Sequence, residues 1–244
     1  EILAKENKIQ YKQENISNYF SGIVAANQNY NNKALKYLNK VQPLKDIHPN
    51  FNIEFIRTLV LLEKFDEAFA FSKTLSNDNK AFFDSNLLLG LNYFLQKDYT
   101  QAEKYFVNLN EISEYNLYFS DFIGNVLLAW SKASQGKEKE SFIFLEKIPK
   151  PYLHLKKIQN IFLQCYFGKP EAQKNLEELI KDESYNFSRY NFFLANYLVE
   201  NNKVSEAKKL IKKSRIKYSS NILIKQTEGF LLRNENKKIK NFFN

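Results

Sequence analysis

The chain of 244 residues has no methionine, one cysteine, one tryptophan, two histidines, five prolines and six glycines. The lone Cys165 closes no internal disulfide, which leaves two compartments open, cytoplasm and periplasm. His48, beside Pro49, and the distant His154 give no pair at metal-ligand spacing, so neither a metal nor a cofactor is expected. So few glycines form no phosphate-cradling loop. Cys165 has no histidine nearby in sequence to activate it. Glu177-Glu178 and Asp182-Glu183 read as exposed helix-end charge, not as an acid–base pair. Enzymatic activity is therefore not expected. No apolar run approaches the ~20 residues that span a bilayer; the best stretch, 86–95, is interrupted by polar side chains. A chain without even an initiator methionine reads as processed or excised from something longer. Its Ile2-Leu3-Ala4 start lacks the apolar core of a signal peptide.

What is present suffices for a folded core: 44% of residues are apolar and 16% aromatic. The net charge is +9 and is carried almost wholly by lysine, since Arg57, Arg189, Arg215 and Arg233 are the only arginines. Two readings of this charge stay open. Abundant Asn, Lys, Ile, Phe and Tyr is the set that AT-rich codons supply, so the charge can be compositional drift; alternatively it has an electrostatic role.

Periodicity carries most of the information. Ala34, Ala68 and Ala102 lie at intervals of 34 residues. Gly22 and Gly90 are two such steps apart with Ile56 between them; Tyr37, Phe71 and Tyr105, and Val41, Leu75 and Leu109, keep the same step. Residues 83–110 contain Leu89, Gly90, Tyr93, Tyr99, Ala102, Phe106 and Leu109 around a turn at Lys97-Asp98. Small Gly90 and Ala102 let two helices approach closely while the aromatics fill the surrounding space. No strand alternation is seen. This pattern resembles the tetratricopeptide repeat, a helix–turn–helix unit of that period.

Looser copies cover 15–48, 49–82, 122–149 (turning at Gln135-Gly136), 152–182 (turning at Gly168-Lys169-Pro170) and 188–219 (turning at Asn201-Asn202). In these later units Ser141, Ala172, Ala195 and Ala207 take small positions, with Ala172 one residue out of step. The 39 residues from Ala102 to Ser141 imply about five extra residues within 111–121. A seventh unit begins at Ile222. The expectation is about thirteen helices, with 1–14 as an N-terminal extension and 15–244 as the repeat array. The last helix offers Ile222, Leu223, Ile224, Phe230, Leu231 and Leu232, so further repeats or another chain are expected to cover an incomplete C-terminal end.

The resemblance implies an all-α, right-handed α-solenoid of about six to seven hairpins, whose concave wall is built from the first helix of each. It further implies a non-catalytic scaffold that holds a peptide or partner helix, as in a bacterial envelope or multi-protein assembly. The family's wall positions correspond here to Tyr19, Ile23, Arg57, Val60, Leu91, Phe94, Trp130, Arg189, Phe192 and Asn196. The basic clamp that some members use for a terminal carboxylate is absent, because its positions hold Tyr19, Ile23, Glu54, Asp84 and Leu88. Trp130 reads either as core or as an anchor; Arg57 either grips an acidic partner residue or pairs with Glu54. In the 204–217 segment, Lys208, Lys209, Lys212 and Lys213 form one stripe, a solvated face or a nucleic-acid or other polyanion contact.

Overall fold

The computed structural model describes residues 13–75, 83–112, 121–183 and 187–239. They form thirteen α-helices and no strand. These are α1 (Gln13–Asn27), α2 (Asn31–Leu38), α3 (Pro49–Leu61), α4 (Phe65–Thr74), α5 (Phe83–Leu95), α6 (Tyr99–Glu111) and α7 (Phe122–Ser134). There follow α8 (Glu138–Glu146), α9 (Leu153–Tyr166), α10 (Ala172–Lys181), α11 (Ser188–Glu200), α12 (Val204–Lys217) and α13 (Ile222–Leu232). Short 3₁₀ segments occupy Asn39–Asp46, Lys150–Tyr152 and Asn236–Lys238. Two compact units, 1–131 and 132–244, divide the chain. Within the first, α1 to α6 pack each on the next; within the second, α8 to α13 do the same. First helices of successive hairpins also touch: α1 with α3, α3 with α5, and α11 with α13.

One local device sets this order. Asn29, Glu63, Lys97, Gly136, Gly168, Asn202 and Asn234 all adopt a left-handed backbone, with φ between 58° and 72°. The next residue's N–H then donates to the carbonyl five positions back: Tyr30 to Ala25, Lys64 to Leu59, Asp98 to Tyr93, Lys137 to Lys132, Lys169 to Gln164, Lys203 to Leu198 and Glu235 to Phe230, at 2.7–3.0 Å. This is a Schellman closure, which satisfies carbonyls the ending helix leaves open. The same residue starts the following helix. Its carbonyl accepts the N–H of Ala34, Ala68, Ala102, Ser141 or Ala207, four residues on, at 2.9–3.1 Å. At Lys169-Pro170 the new helix begins one residue sooner, with Ala172 N–H donating to Lys169 O at 3.1 Å, which accounts for the slipped register there.

Those residues, Ala172 included, are fully buried. The approach is tight on both sides: a Cβ added to Gly22 would stand 2.7 Å from Leu38 Cδ2, and one added to Gly90 only 2.4 Å from Phe106 Cε1. Phe51, Phe55 and Phe71 fill the core between α3 and α4, Phe55 meeting Phe71 edge-on at 4.6 Å between ring centroids. The left-handed residues Lys97 and Gly136 lie 39 apart, matching the longer interval read from the sequence. The insertion expected in 111–121 falls mostly outside the described residues; α6 runs to Glu111, and Ile112 is buried.

A polar residue keeps the same register. Asn52, Asn86, Asn125 and Asn191 are each the fourth residue of a first helix, and all are buried. Asn52 Nδ2 donates to Lys45 O (2.8 Å) and Asn191 Nδ2 to Phe187 O (3.0 Å), tying each helix start to the segment before it. Asn86 Oδ1 accepts from Asn108 Nδ2 (3.1 Å) and Asn191 Oδ1 from Ser214 Oγ (3.0 Å), each reaching the hairpin's second helix.

The apolar side chains of α13 are not all on one face. Ile224 and Leu231 are buried, Phe230 is half-buried against the second unit's core, and Ile239 folds back into that core after the 3₁₀ turn. Ile222, Leu223 and Leu232 remain exposed. The helix thus divides its apolar side chains between core and solvent, and the seventh tight turn brings Ile239 back into the core.

The close approaches separate two glycines that propensity alone treats alike. Gly→Ala in a helix gains up to about 1 kcal/mol. At Gly90 the new methyl collides with the fully buried Phe106 ring, and overpacking of about 1–3 kcal/mol outweighs that gain. At Gly229 the nearest atom is the Arg233 Nη1, 3.3 Å away at the mobile end of an exposed side chain. Thermal denaturation should therefore show Gly90→Ala and Ala102→Leu lowering Tm and Gly229→Ala raising it.

Candidate functional site

The first-helix side of the first unit presents a surface built by helical spacing. Residues 19, 23 and 27 on α1, 53, 57 and 61 on α3, and 87, 91 and 95 on α5 follow i, i+4, i+8 lines and repeat every 34 residues. Buried faces of α3 and α5 hold Phe55, Ile56 and Leu59 or Leu89 and Gly90, so their lines look away from the core, whereas Tyr19 and Ile23 on α1 pack partly against it.

Tyr19, Ile23, Asn50, Ile53, Glu54 and Arg57 line a cleft of about 330 Å³. The Tyr19 ring packs on His48 at 4.7 Å. Burial, aided by the nearby Glu54 charge, pushes the Tyr19 hydroxyl above its ordinary value, so at neutral pH it stays a donor. Arg57 Nε donates to Asp84 Oδ1 at 3.1 Å and Nη2 to Asp84 Oδ2 at 3.5 Å, while Nη1 lies 3.6 Å from Glu54 Oε1. The guanidinium therefore bridges α3 to α5 and is matched by two carboxylates. Of the two readings of Arg57, pairing with Glu54 is the one seen here, with Asp84 added to it, so the guanidinium is already engaged by acids of its own chain. The exposed bridge is worth at most about 1 kcal/mol in stability.

Leu91 is exposed on α5, two helical turns beyond Asp84. Phe94 is half-buried, its ring meeting Tyr99 edge-on at 5.7 Å and Phe106 at 6.5 Å within its own hairpin. Val60 and Ile23 are half-buried against the core, and Trp130 is half-buried. Sequence reasoning passed over Leu61, 62% exposed, and Leu95, 78% exposed, at the ends of α3 and α5. Their signal was present, since each is four residues beyond a chosen wall position, Arg57 or Leu91.

In the second unit Arg189 is exposed, and its guanidinium sits 5.3 Å and 5.0 Å from the Phe187 and Tyr190 ring centroids. Phe192 is half-buried against the core. Asn196 is fully buried; its Nδ2 donates to Phe192 O at 3.2 Å, and it offers a partner nothing. The structure thus gathers Tyr19, Ile23 and Arg57 into one cleft, adds Leu91 on the next first helix, leaves Phe94 half-buried against its own hairpin, and withdraws Asn196.

Among the described residues no group of three or more His, Cys, Asp or Glu side chains could hold a metal ion. Likewise no helix there is long and apolar enough to cross a membrane. Comparison of the chain with protein-family models, with curated proteins and with solved structures found no match.

Burial pushes the Cys165 thiol up to about 12. A group raised that far is protonated at pH 8, and the thiolate is the reactive form. Native protein should accordingly react with a disulfide reagent at pH 8 far more slowly than protein unfolded in guanidinium. Equal rates in the two states would show an accessible, ionised thiol.

Proposed function

We propose that the chain is a tetratricopeptide-type α-solenoid acting as a non-catalytic scaffold. Its first-helix wall in 13–131 holds an amphipathic helix or an extended peptide. The observation that carries this reading is the line of Ile53, Leu61, Leu87, Leu91 and Leu95, apolar side chains exposed or half-buried on helices whose opposite faces are already in the core. A groove of apolar stripes at helical spacing suits a partner with anchors at i, i+3, i+4 and i+7. The recurring turn and the buried small residue four positions beyond it support the family assignment. Local charge selects the partner's polar residues: Arg57 is already held by Asp84 and Glu54, so these carboxylates favour a basic over an acidic residue beside the anchors.

Selection of a displayed random-peptide library on the full chain supplies a probe. Enriched peptides should carry apolar anchors at helical spacing with Lys or Arg nearby. Leu91→Asp and Leu95→Asp lie at exposed positions and should leave Tm nearly unchanged while weakening the selected peptide at least about tenfold, since desolvating one unpaired charge suffices for that loss. Because apolar burial dominates, raising salt should weaken binding only modestly. A selection that enriches nothing, or peptides indifferent to both substitutions, would count against the groove.

A further inference from the structure

The net charge is not distributed along the chain. Residues 203–244 hold 12 of the 36 lysines and arginines and 3 of the 27 acidic residues, a net of +9; the preceding 202 residues hold the remaining 24 and 24, a net of zero. Compositional drift explains lysine in place of arginine, but it acts along the whole gene and does not strip acids from one end. Ordinary closure of an array end does not explain the pattern either, since a polar outer face needs no single sign of charge.

The described part of this region is the α12–α13 hairpin and the turn after it. Its three acids are engaged: Glu228 with Arg215 at 3.3 Å, Glu235 with Arg233 and Lys238 at 3.2 and 3.1 Å, and Glu206 near Gln173. Lys209, Lys212, Lys213 and Lys225 are exposed, and among the described residues none has an ion pair. Aliphatic side chains stand among them: Ile216 is 81% exposed, Ile222 69% and Leu232 71%. Ile216 follows Lys212 and Lys213 by one helical turn. Leu232 shares a cleft of about 300 Å³ with Lys208, Lys209 and Lys212.

We infer that this hairpin docks peripherally on an anionic lipid surface, the lysines meeting headgroups and the three aliphatics entering the boundary beneath them. Charge complementarity and the interleaved side chains favour that occupant over two others. A single-stranded nucleic acid is held by stacking on aromatic rings. Within 203–239 the aromatics are Tyr218 and Phe230, both half-buried, and Phe230 already lies under Arg233 and Lys238. Protein interfaces are depleted in lysine, whose long chain is costly to immobilise. At a membrane the lysine stays mobile, its stem lies along apolar surface and its ammonium remains hydrated. The docking face is separate from the proposed groove and does not depend on it.

The test is flotation of the full chain with vesicles of phosphatidylcholine alone and of phosphatidylcholine mixed with phosphatidylserine. Binding should need phosphatidylserine and fall with salt. Neutralising Lys209, Lys212 and Lys213 together to Gln should weaken it on the order of a hundredfold. The same charge change at exposed Lys36, Lys104 and Lys139 should alter it less than about twofold. Ile216→Ser with Leu232→Ser should weaken it about tenfold or more and make what remains more sensitive to salt. Leu91→Asp, which tests the groove, should leave it unchanged. Circular dichroism melting checks that each variant folds. The inference is overturned by a chain that ignores phosphatidylserine, by equal losses in the two lysine triples, or by indifference to the aliphatic pair. A single-stranded oligonucleotide or polyglutamate bound through Lys209, Lys212 and Lys213 while vesicles are ignored would assign the face to that polyanion instead.

Discussion

The structure depends on one turn. A residue in the left-handed region ends a helix, and its successor both closes that helix and opens the next, so no free linker exists in which the phase between the two can drift. At five of the seven turns the residue four positions further on faces the preceding helix at closest approach, and there it is alanine or serine; at Lys169 it is Ala172, three positions on. The cost is visible at Glu63 and Lys97, which hold φ values of 58° and 61° without being glycine. Such a conformation costs about 1–2 kcal/mol, offset by the paired carbonyls and by burial of the hairpin's small seam.

From that fixed phase the rest follows in order. Hairpins of one geometry place their first helices side by side, α1 by α3 by α5, and every 34th residue meets the same surroundings. A stripe that looks away from the core on one first helix is continued by the next. The Arg57 bridge to Asp84 is a consequence of this alignment: the two residues are 27 apart in sequence and on different helices, brought together because α3 and α5 touch.

The same logic explains what could be read from the sequence. The alanine series was legible because close approach tolerates few residue types, and four of the seven turns were legible because Gly, Asn-Asn and Lys-Asp stand out between apolar runs, whereas those at Asn29, Glu63 and Asn234 carry no such signal. The asparagine series was not. Asn52 and Asn86 keep the 34-residue step as strictly as Ala68 and Ala102, yet a polar residue is ordinarily assigned to the surface, whereas here it is buried with its amide tied to backbone or to a neighbouring helix. Asn196 was misplaced for that reason. Phe94 differs: a wall position inherited by register ignores side-chain size, and a large ring one turn before a tight hairpin is shared between solvent and its neighbours Tyr99 and Phe106. Arg57 had a plausible partner three residues away, and nothing local announced the second on another helix.

Net charge is the plainest case of a total concealing its distribution. A value of +9 spread over 244 residues would give a weak field, because exposed charges more than about 8–10 Å apart are largely screened at physiological salt. Confined to the last 42 residues, with the acids of the hairpin already engaged, the same number concentrates unpaired lysines on a few helical turns. The first-helix surface of the first unit is governed instead by apolar area and one compensated bridge, which ionic strength barely touches. The two proposed surfaces therefore differ in how steeply salt should weaken them, and neither is visible in the overall composition. Each follows from which residues the recurring turn leaves facing outward.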